Sequence, residues 1–454
     1  MAAPVIGVSP YWELTFDADG DADEPEQNRL LADVSRGDVR DLLVFAHGWN
    51  NERTGATRLY GRFFAPVPSL APKARLGYVG VIWPSMMFAD EPVPDFPPSA
   101  AAAVPVPPRP RLDKNSRRAL LEVFPGRATV VEQLARLLEQ HPDDGPALEE
   151  FGRLVRLLVE VRSQGPQASC AADLLVAQAS DAEPGMLTLD TAQVCRDFAR
   201  ALERVESGEG EAPGTAAFSF TPKGLWDGAH ELLRQATYYA MKRRAGAVGE
   251  HGLGPVLGRL ARAAPDVRVH LVGHSFGGRL VSFALRGLPE GVRTVKSVTL
   301  LQGAFSHYAF AARLPDAPHT EGALSGRQHR IDGPLVCCHS RFDSALGTLY
   351  PLASRMAGDD RSLTGGAPGA AEGFGIGRVL GPKWGAMGHD GVQAVDGTPG
   401  FTLAEALGRR LPASGCVNVD VSAVVCHGGP PSGAHSDIVH RELAQVVLAA
   451  GRVS

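Results

Sequence analysis

Residues Val267 to Gly278 read VRVHLVGHSFGG, and the fold class follows from how this stretch must run. Val267 to Val272 is an apolar, β-branched-rich run of the length of one buried strand. Gly273, His274, Ser275, Phe276 and Gly277 then form a small-residue pentapeptide, and Arg279 to Leu288 has helical spacing through Leu280, Phe283 and Ala284. The order is strand, sharp turn, helix. In a G-x-S-x-G turn the serine takes a strained conformation, and glycines on either side let strand and helix approach closely. The helix start also directs free N–H groups and a positive dipole end toward a developing negative charge. A serine hydroxyl is a poor nucleophile until it is exposed, given a base and supplied with oxyanion donors. Ser275 is therefore the candidate nucleophile. A tight turn holding an inert serine is the competing reading, against which the flanking strand and helix argue.

Working outward, Asp41 to Ala46 (DLLVFA) reads as a buried strand feeding the polar turn His47, Gly48, Trp49, Asn50, Asn51. Gly77 to Trp83 repeats the pattern, and Val295 to Leu301, Leu335 to His339 and Val417 to Val425 supply three more strands. Leu443 to Ala450 reads as a closing helix. Strands alternating with helices predict an α/β fold with a mostly parallel central sheet flanked by helices. The gap between the second and third strands exceeds one crossover connection and predicts a large insertion. It opens with the Pro-rich stretch Pro92 to Pro110. Helical patterns follow through Val131, Leu134 and Leu138, then Leu148, Phe151, Val155 and Leu158, then Val194, Phe198 and Leu202. The predicted division is a core of residues 1–84 and 223–454 with an insertion over 85–222. That insertion could cap the active site, though a structural appendage or an oligomer contact explains the same periodicity. Gly358 to Gly400 reads as a long Gly-rich loop.

The segment His47-Gly48-Trp49, at the end of its strand, resembles the oxyanion segment of many lipases and esterases of the α/β-hydrolase superfamily. Its competitor is a plain strand-end turn. The resemblance implies backbone N–H donors from Trp49 and Phe276, with His47 structural. It also implies that the triad acid and then the histidine follow the serine, each on a loop beyond a strand. Asp343, after the strand Leu335 to His339, fits the acid position; Asp332 precedes that strand, and Asp390 falls in the long loop. For the base, His427 and His435 both follow the last strand. His435, just before the closing helix, has the better position, with Ser436 or Asp437 available to cap that helix. His440 is expected inside the helix. The stretches Cys337 to Ser354 and GAHSDI, with Trp83-Pro84-Ser85, are similar to bacterial and fungal α/β-hydrolase-like proteins without an assigned substrate.

Composition narrows the function classes. The net charge is −5 over 454 residues, which gives no basic field for a nucleic-acid partner. The cluster Lys242, Arg243, Arg244 ends a helix-like stretch, where cations favour the C-terminus. Six cysteines show no CxxC pair or zinc spacing and read as buried thiols. Metal-helix, phosphate-loop and dinucleotide motifs do not occur, so neither metal nor cofactor is expected. No secretion signal or run of 18 apolar residues is evident, and a cytoplasmic location is the default expectation. The reading is a serine hydrolase cleaving small-molecule or lipid-like carboxylic esters through Ser275, His435 and Asp343. A catalytically silent binding or scaffold relative and an acyltransferase using the same serine are the alternatives.

Overall fold

The computed structural model of the chain describes residues 6–49, 53–86, 111–142, 145–159, 170–176, 185–207, 222–315, 317–346, 385–429 and 432–454. The strands are β1 (Tyr11–Thr15), β2 (Asp41–Ala46), β3 (Leu76–Ile82), β4 (Leu174–Val176), β5 (Arg268–His274), β6 (Val295–Leu301), β7 (Thr320–Gly322), β8 (Pro334–His339), β9 (Gly400–Thr402) and β10 (Gly415–Asp420). Eight of them make one sheet in the order β1-β3-β2-β5-β6-β8-β10-β9. Every pairing in that sheet is parallel. The short β4 and β7 pair antiparallel on their own.

A parallel sheet must bury both faces, which is why its strands read as near-continuous apolar runs. Alternate residues of β2 show the division: Leu42, Val44 and Ala46 enter one core, Leu43 and Phe45 the other. The helices Arg53–Phe64 and Arg441–Gly451 cover the second face through Tyr60, Phe63, Phe64, Leu443 and Val447. On the first face lie Glu24–Arg36, Gly254–Ala263 and Phe276–Gly287. The helices Lys114–Val123, Ala128–Gln140, Gly145–Val159 and Thr191–Ser207 continue that same apolar cluster through Leu120, Leu134, Phe151 and Phe198. The long helix Pro222–Ala247 joins them to the sheet.

Strand order reverses direction between β2 and β5. After β2 the chain moves outward to β3, whereas after β5 it moves the opposite way to β6. The carboxyl ends of β2 and β5 therefore flank a topological switch point, where diverging connections leave a crevice in open α/β sheets. His47–Trp49 and Ser275 are the residues that leave those two ends.

Several sequence expectations change. The last strand stops at Asp420: Val421 N–H donates to His339 O as the final rung of the ladder with β8, and the chain then turns, with the Val424 and Val425 N–H groups donating to Val421 O. β1 and the helix Glu24–Arg36 were not anticipated. The Pro92 to Pro110 stretch and most of Gly358 to Gly400 lie outside the described residues. Five cysteines are buried, but Cys426 is exposed. Lys242, Arg243 and Arg244 do stand toward the end of a helix, Pro222–Ala247, and all three are buried there. Lys242 Nζ lies 2.9 Å from Asp173 Oδ2, and Arg244 donates to Pro84 O at 2.9 Å and Val123 O at 3.2 Å. No helix among the described residues is long and apolar enough to cross a membrane.

Candidate active site

Ser275 stands between β5 and the helix Phe276–Gly287 with φ 54° and ψ −120°. A non-glycine residue enters this region only where its surroundings enforce it, and such residues cluster at functional sites. The enforcement is visible. A Cβ on Gly277 would stand 1.9 Å from Ala46 O, and one on Gly273 would stand 2.4 Å from Gly277 O. The helix therefore starts hard against the end of β2 and leaves Ser275 at the apex. Ser275 N–H donates to Leu301 O at 3.0 Å, and Ser275 O accepts from Gly278 at 3.0 Å, so the strained residue is tied on both sides.

Asp343 and His435 arrive from loops beyond β8 and β10. His435 Nε2 lies 2.9 Å from Ser275 Oγ, and His435 Nδ1 lies 2.7 Å from Asp343 Oδ2. Asp343 is 0 % exposed, Ser275 4 %, and the imidazole of His435 16 %, so the carboxylate is sealed while the imidazole edges toward solvent. The second carboxylate oxygen of Asp343 accepts the Leu346 N–H at 3.1 Å. Ser340 builds the acid loop: its hydroxyl donates to Val425 O, and Asp343 N–H donates back to Ser340 O. The two loops are joined directly, because Ala434 N–H donates to Phe342 O at 2.9 Å and Gly433 brings its backbone against that carbonyl. At φ +59°, Gly433 also adopts a conformation that favours glycine.

The competing acids and bases go elsewhere. Asp332 pairs with Lys296 at 2.6 Å, and Asp390 lies 2.8 Å from His307 Nδ1. His389 Nδ1 lies 3.2 Å from the Asp343 carbonyl, so it supports the acid loop without touching the carboxylate. His427 is 81 % exposed and faces Asp437. His440 is the residue preceding the closing helix, not a member of it, and its Nε2 lies 2.8 Å from Asp437 Oδ1. Asp437 does not cap that helix; its other oxygen accepts the Cys426 and His427 N–H groups at 3.0 and 2.9 Å, pinning the base loop to the chain leaving β10. Only the acidic residue two places after His435 hinted at this clamp in the sequence.

Beside the serine, the segment His47–Trp49 packs so closely that a Cβ on Gly48 would stand 2.7 Å from Ser275 Cβ. His47 is buried, stacks on Trp83, and has its pKa pushed down to about 4 by that burial. Trp83 Nε1 donates to His47 O at 3.0 Å. Trp49, Tyr238 and Phe276 form an aromatic group, with centroids 5.3 Å apart for Trp49–Tyr238 and 4.5 Å for Tyr238–Phe276. Phe276 occupies the first position of its helix, where no carbonyl within the helix accepts its N–H.

Two other features lie apart from this constellation. A cleft of about 650 Å³ lined by Tyr11, Trp12, Asp33 and Arg75 opens at the amino ends of β1 and β3, the opposite edge of the sheet from Ser275. It holds no nucleophile–base pair. Cys170, Glu250 and His251 bring ligand-type atoms within 4.8 Å of one another. There Arg286 Nη2, 3.2 Å from Glu250 Oε2, and the Cys170 thiol, 3.3 Å from the same oxygen, already satisfy the carboxylate. Searches of protein-family models, of curated proteins and of solved structures each return no match to the chain.

Proposed function

We propose that the chain is a serine hydrolase of α/β-hydrolase type that cleaves carboxylic esters through an acyl-enzyme. The observation that carries the reading is the continuous path Ser275 Oγ, His435 Nε2, His435 Nδ1, Asp343 Oδ2, with steps of 2.9 and 2.7 Å, at the apex of a strained strand-to-helix turn. In the forward step His435 Nε2 takes the Ser275 proton as Oγ attacks the ester carbonyl. Asp343 Oδ2 accepts a hydrogen bond from Nδ1–H, which stays on the ring, and offsets the imidazolium charge. The Trp49 and Phe276 amides are the proposed donors to the tetrahedral oxyanion. His435 then returns the proton to the leaving alcohol, and water repeats the sequence to free the acid and restore Ser275.

Esters suit this machinery because an alkoxide is far less basic than an amide anion and so leaves more readily when the imidazole delivers its proton. The aromatic group of Trp49, Tyr238 and Phe276 beside the serine favours an apolar acyl portion. Fluorophosphonate labelling and hydrolysis of short and long acyl esters test the reading. The folded wild type should label and turn over. Ser275→Ala should lose labelling, and Ser275→Ala and His435→Ala should lose kcat by roughly 10⁴-fold or more. A folded wild type that neither labels nor hydrolyses any ester would replace this reading with a binding or scaffold role. Acyl transfer to an added alcohol in preference to water would make it an acyltransferase.

A further inference from the structure

We infer that His274 is a positioning residue for the base: through its Nε2 hydrogen it holds the main chain of His435 against the nucleophile strand. The inference rests on the hydrolase reading above. Ser275 and His435 are 160 residues apart in sequence, and the base sits on a loop, so something must hold that loop at the serine. His274 Nε2 lies 2.9 Å from the carbonyl oxygen of His435. Because a carbonyl can only accept, Nε2 carries the hydrogen and Nδ1 is bare. The two rings lie 5.2 Å apart at 41°.

The rest of the ring's surroundings give this bond its significance. His274 is buried, and among the described residues Nδ1 has no hydrogen-bond partner; it faces Gly48, where an added Cβ would stand 3.0 Å away. A bare buried nitrogen is costly, and an apolar side chain of similar volume would pack here without that cost. Among the described residues, what the imidazole adds is the N–H to His435. The titratable groups acting on His274 are His435 and His47; burial, followed by the charge of His435, pushes its pKa down to about 3. It thus remains a neutral donor while His435 cycles through its imidazolium, and adds no second positive charge. Its place in sequence, fixed to Ser275 by one peptide bond, makes the distance from nucleophile to base independent of the long intervening chain.

The test compares full-length wild type with His274→Phe, His274→Gln and His274→Asn on a p-nitrophenyl ester, with circular dichroism and melting curves for folding. Phe keeps a ring and loses the donor. Gln carries an amide N–H to about the place of Nε2, whereas Asn is one methylene short. Expected for Phe and Asn are a fall in kcat of about tenfold or more with KM within about twofold. The acid limb of the pH profile should move down as the Asp343 contact loosens, and Gln should recover most of kcat. Equal activity in Gln and Asn, or a folded His274→Phe with wild-type kcat and acid limb, would overturn the inference. A readout free of turnover separates it from the hydrolase reading: the His435 ring titration followed by NMR in Ser275→Ala, with and without His274→Gln and His274→Asn. Titration displaced by Asn but not by Gln is expected; titration unmoved by both sinks the positioning role even if the wild type hydrolyses nothing.

Discussion

Two Ser–His–Asp arrangements occur among the described residues, and they differ in access and backbone conformation. His270 Nδ1 lies 2.9 Å from Ser297 Oγ and its Nε2 2.9 Å from Asp41 Oδ1, nearly the spacing found around His435. All three side chains are buried at the amino ends of β2, β5 and β6, and Arg268 adds a cation 3.1 Å from Asp41. Ser297 also lies within a strand of ordinary conformation, whereas Ser275 is lifted out of one. Distance does not separate the two serines; backbone strain does, together with an access that is slight at Ser275 and absent at Ser297. After fluorophosphonate treatment, peptide mass spectrometry should place the adduct on Ser275 and none on Ser297. Ser297→Ala should leave kcat within about twofold while lowering stability by about 1–2 kcal/mol through the lost buried hydrogen bond. An adduct on Ser297 would refute the access argument. At this scale the sequence exposed Ser275 through its two glycines and Asp343 through its place beyond a strand. It ranked His435 above His427 by position alone, because the partners that separate them, Asp437 and His274, act through space and main-chain carbonyls that spacing does not reveal.

Elements raise a different question, namely what keeps the helix Phe276–Gly287 seated on the sheet when its first turn is strained. Part of the answer is a buried ion cluster. Arg279 forms an ion pair with Asp173 and donates to Lys242 O and Cys170 O, while the second Asp173 oxygen receives Lys242 Nζ and the Ser306 N–H. This cluster ties β4's approach, the helix Pro222–Ala247 and the loop after β6 to one turn of the helix Phe276–Gly287. Removing the single carboxylate leaves two buried cations without it. Asp173→Ala should therefore cost about 3–5 kcal/mol, read as a shift of the denaturation midpoint, and a change below about 1 kcal/mol would show that water or rearrangement replaces the carboxylate. The turn itself should respond to Gly277→Ala, whose Cβ meets Ala46 O at 1.9 Å. Loss of labelling in a protein that still melts cooperatively is expected. Most sheet elements were legible because buried parallel strands are short apolar runs. β1 escaped because YWELT mixes apolar and charged residues: Glu13 is buried against Arg53 and Thr57, so its charge is satisfied inside the fold.

For the whole molecule, alternation of strands and helices was enough to predict a parallel α/β sheet. How the chain between β3 and β5 joins that sheet was not, because helical periodicity identifies an apolar face and not its partner. The described helices there share one core with the sheet, so their packing and the sheet's stability are coupled. The same burial places several histidines inside the fold. Burial lowers His47 to about 4 and His274 to about 3, and also lowers His270 and His339. In the folded chain these rings stay neutral below pH 6.5, whereas in the unfolded chain they take up protons near the ordinary histidine value of about 6.5. The unfolded state therefore binds more protons, and stability falls as the pH drops. The contribution is whole above about 6.5 and is lost progressively down to the folded values, each ring adding a slope of up to about 1.4 kcal/mol per pH unit. Melting temperature should be level between pH 7 and 8 and fall steadily from about 6.5 toward 4. Replacing one buried ring by an amide, as in His274→Gln, should make that fall shallower even if it lowers the plateau. A melting temperature unchanged between pH 7 and 5 would mean that the buried histidines are reached by water or protonated in the folded chain, and the neutral, fixed donor assigned to His274 would fail with it.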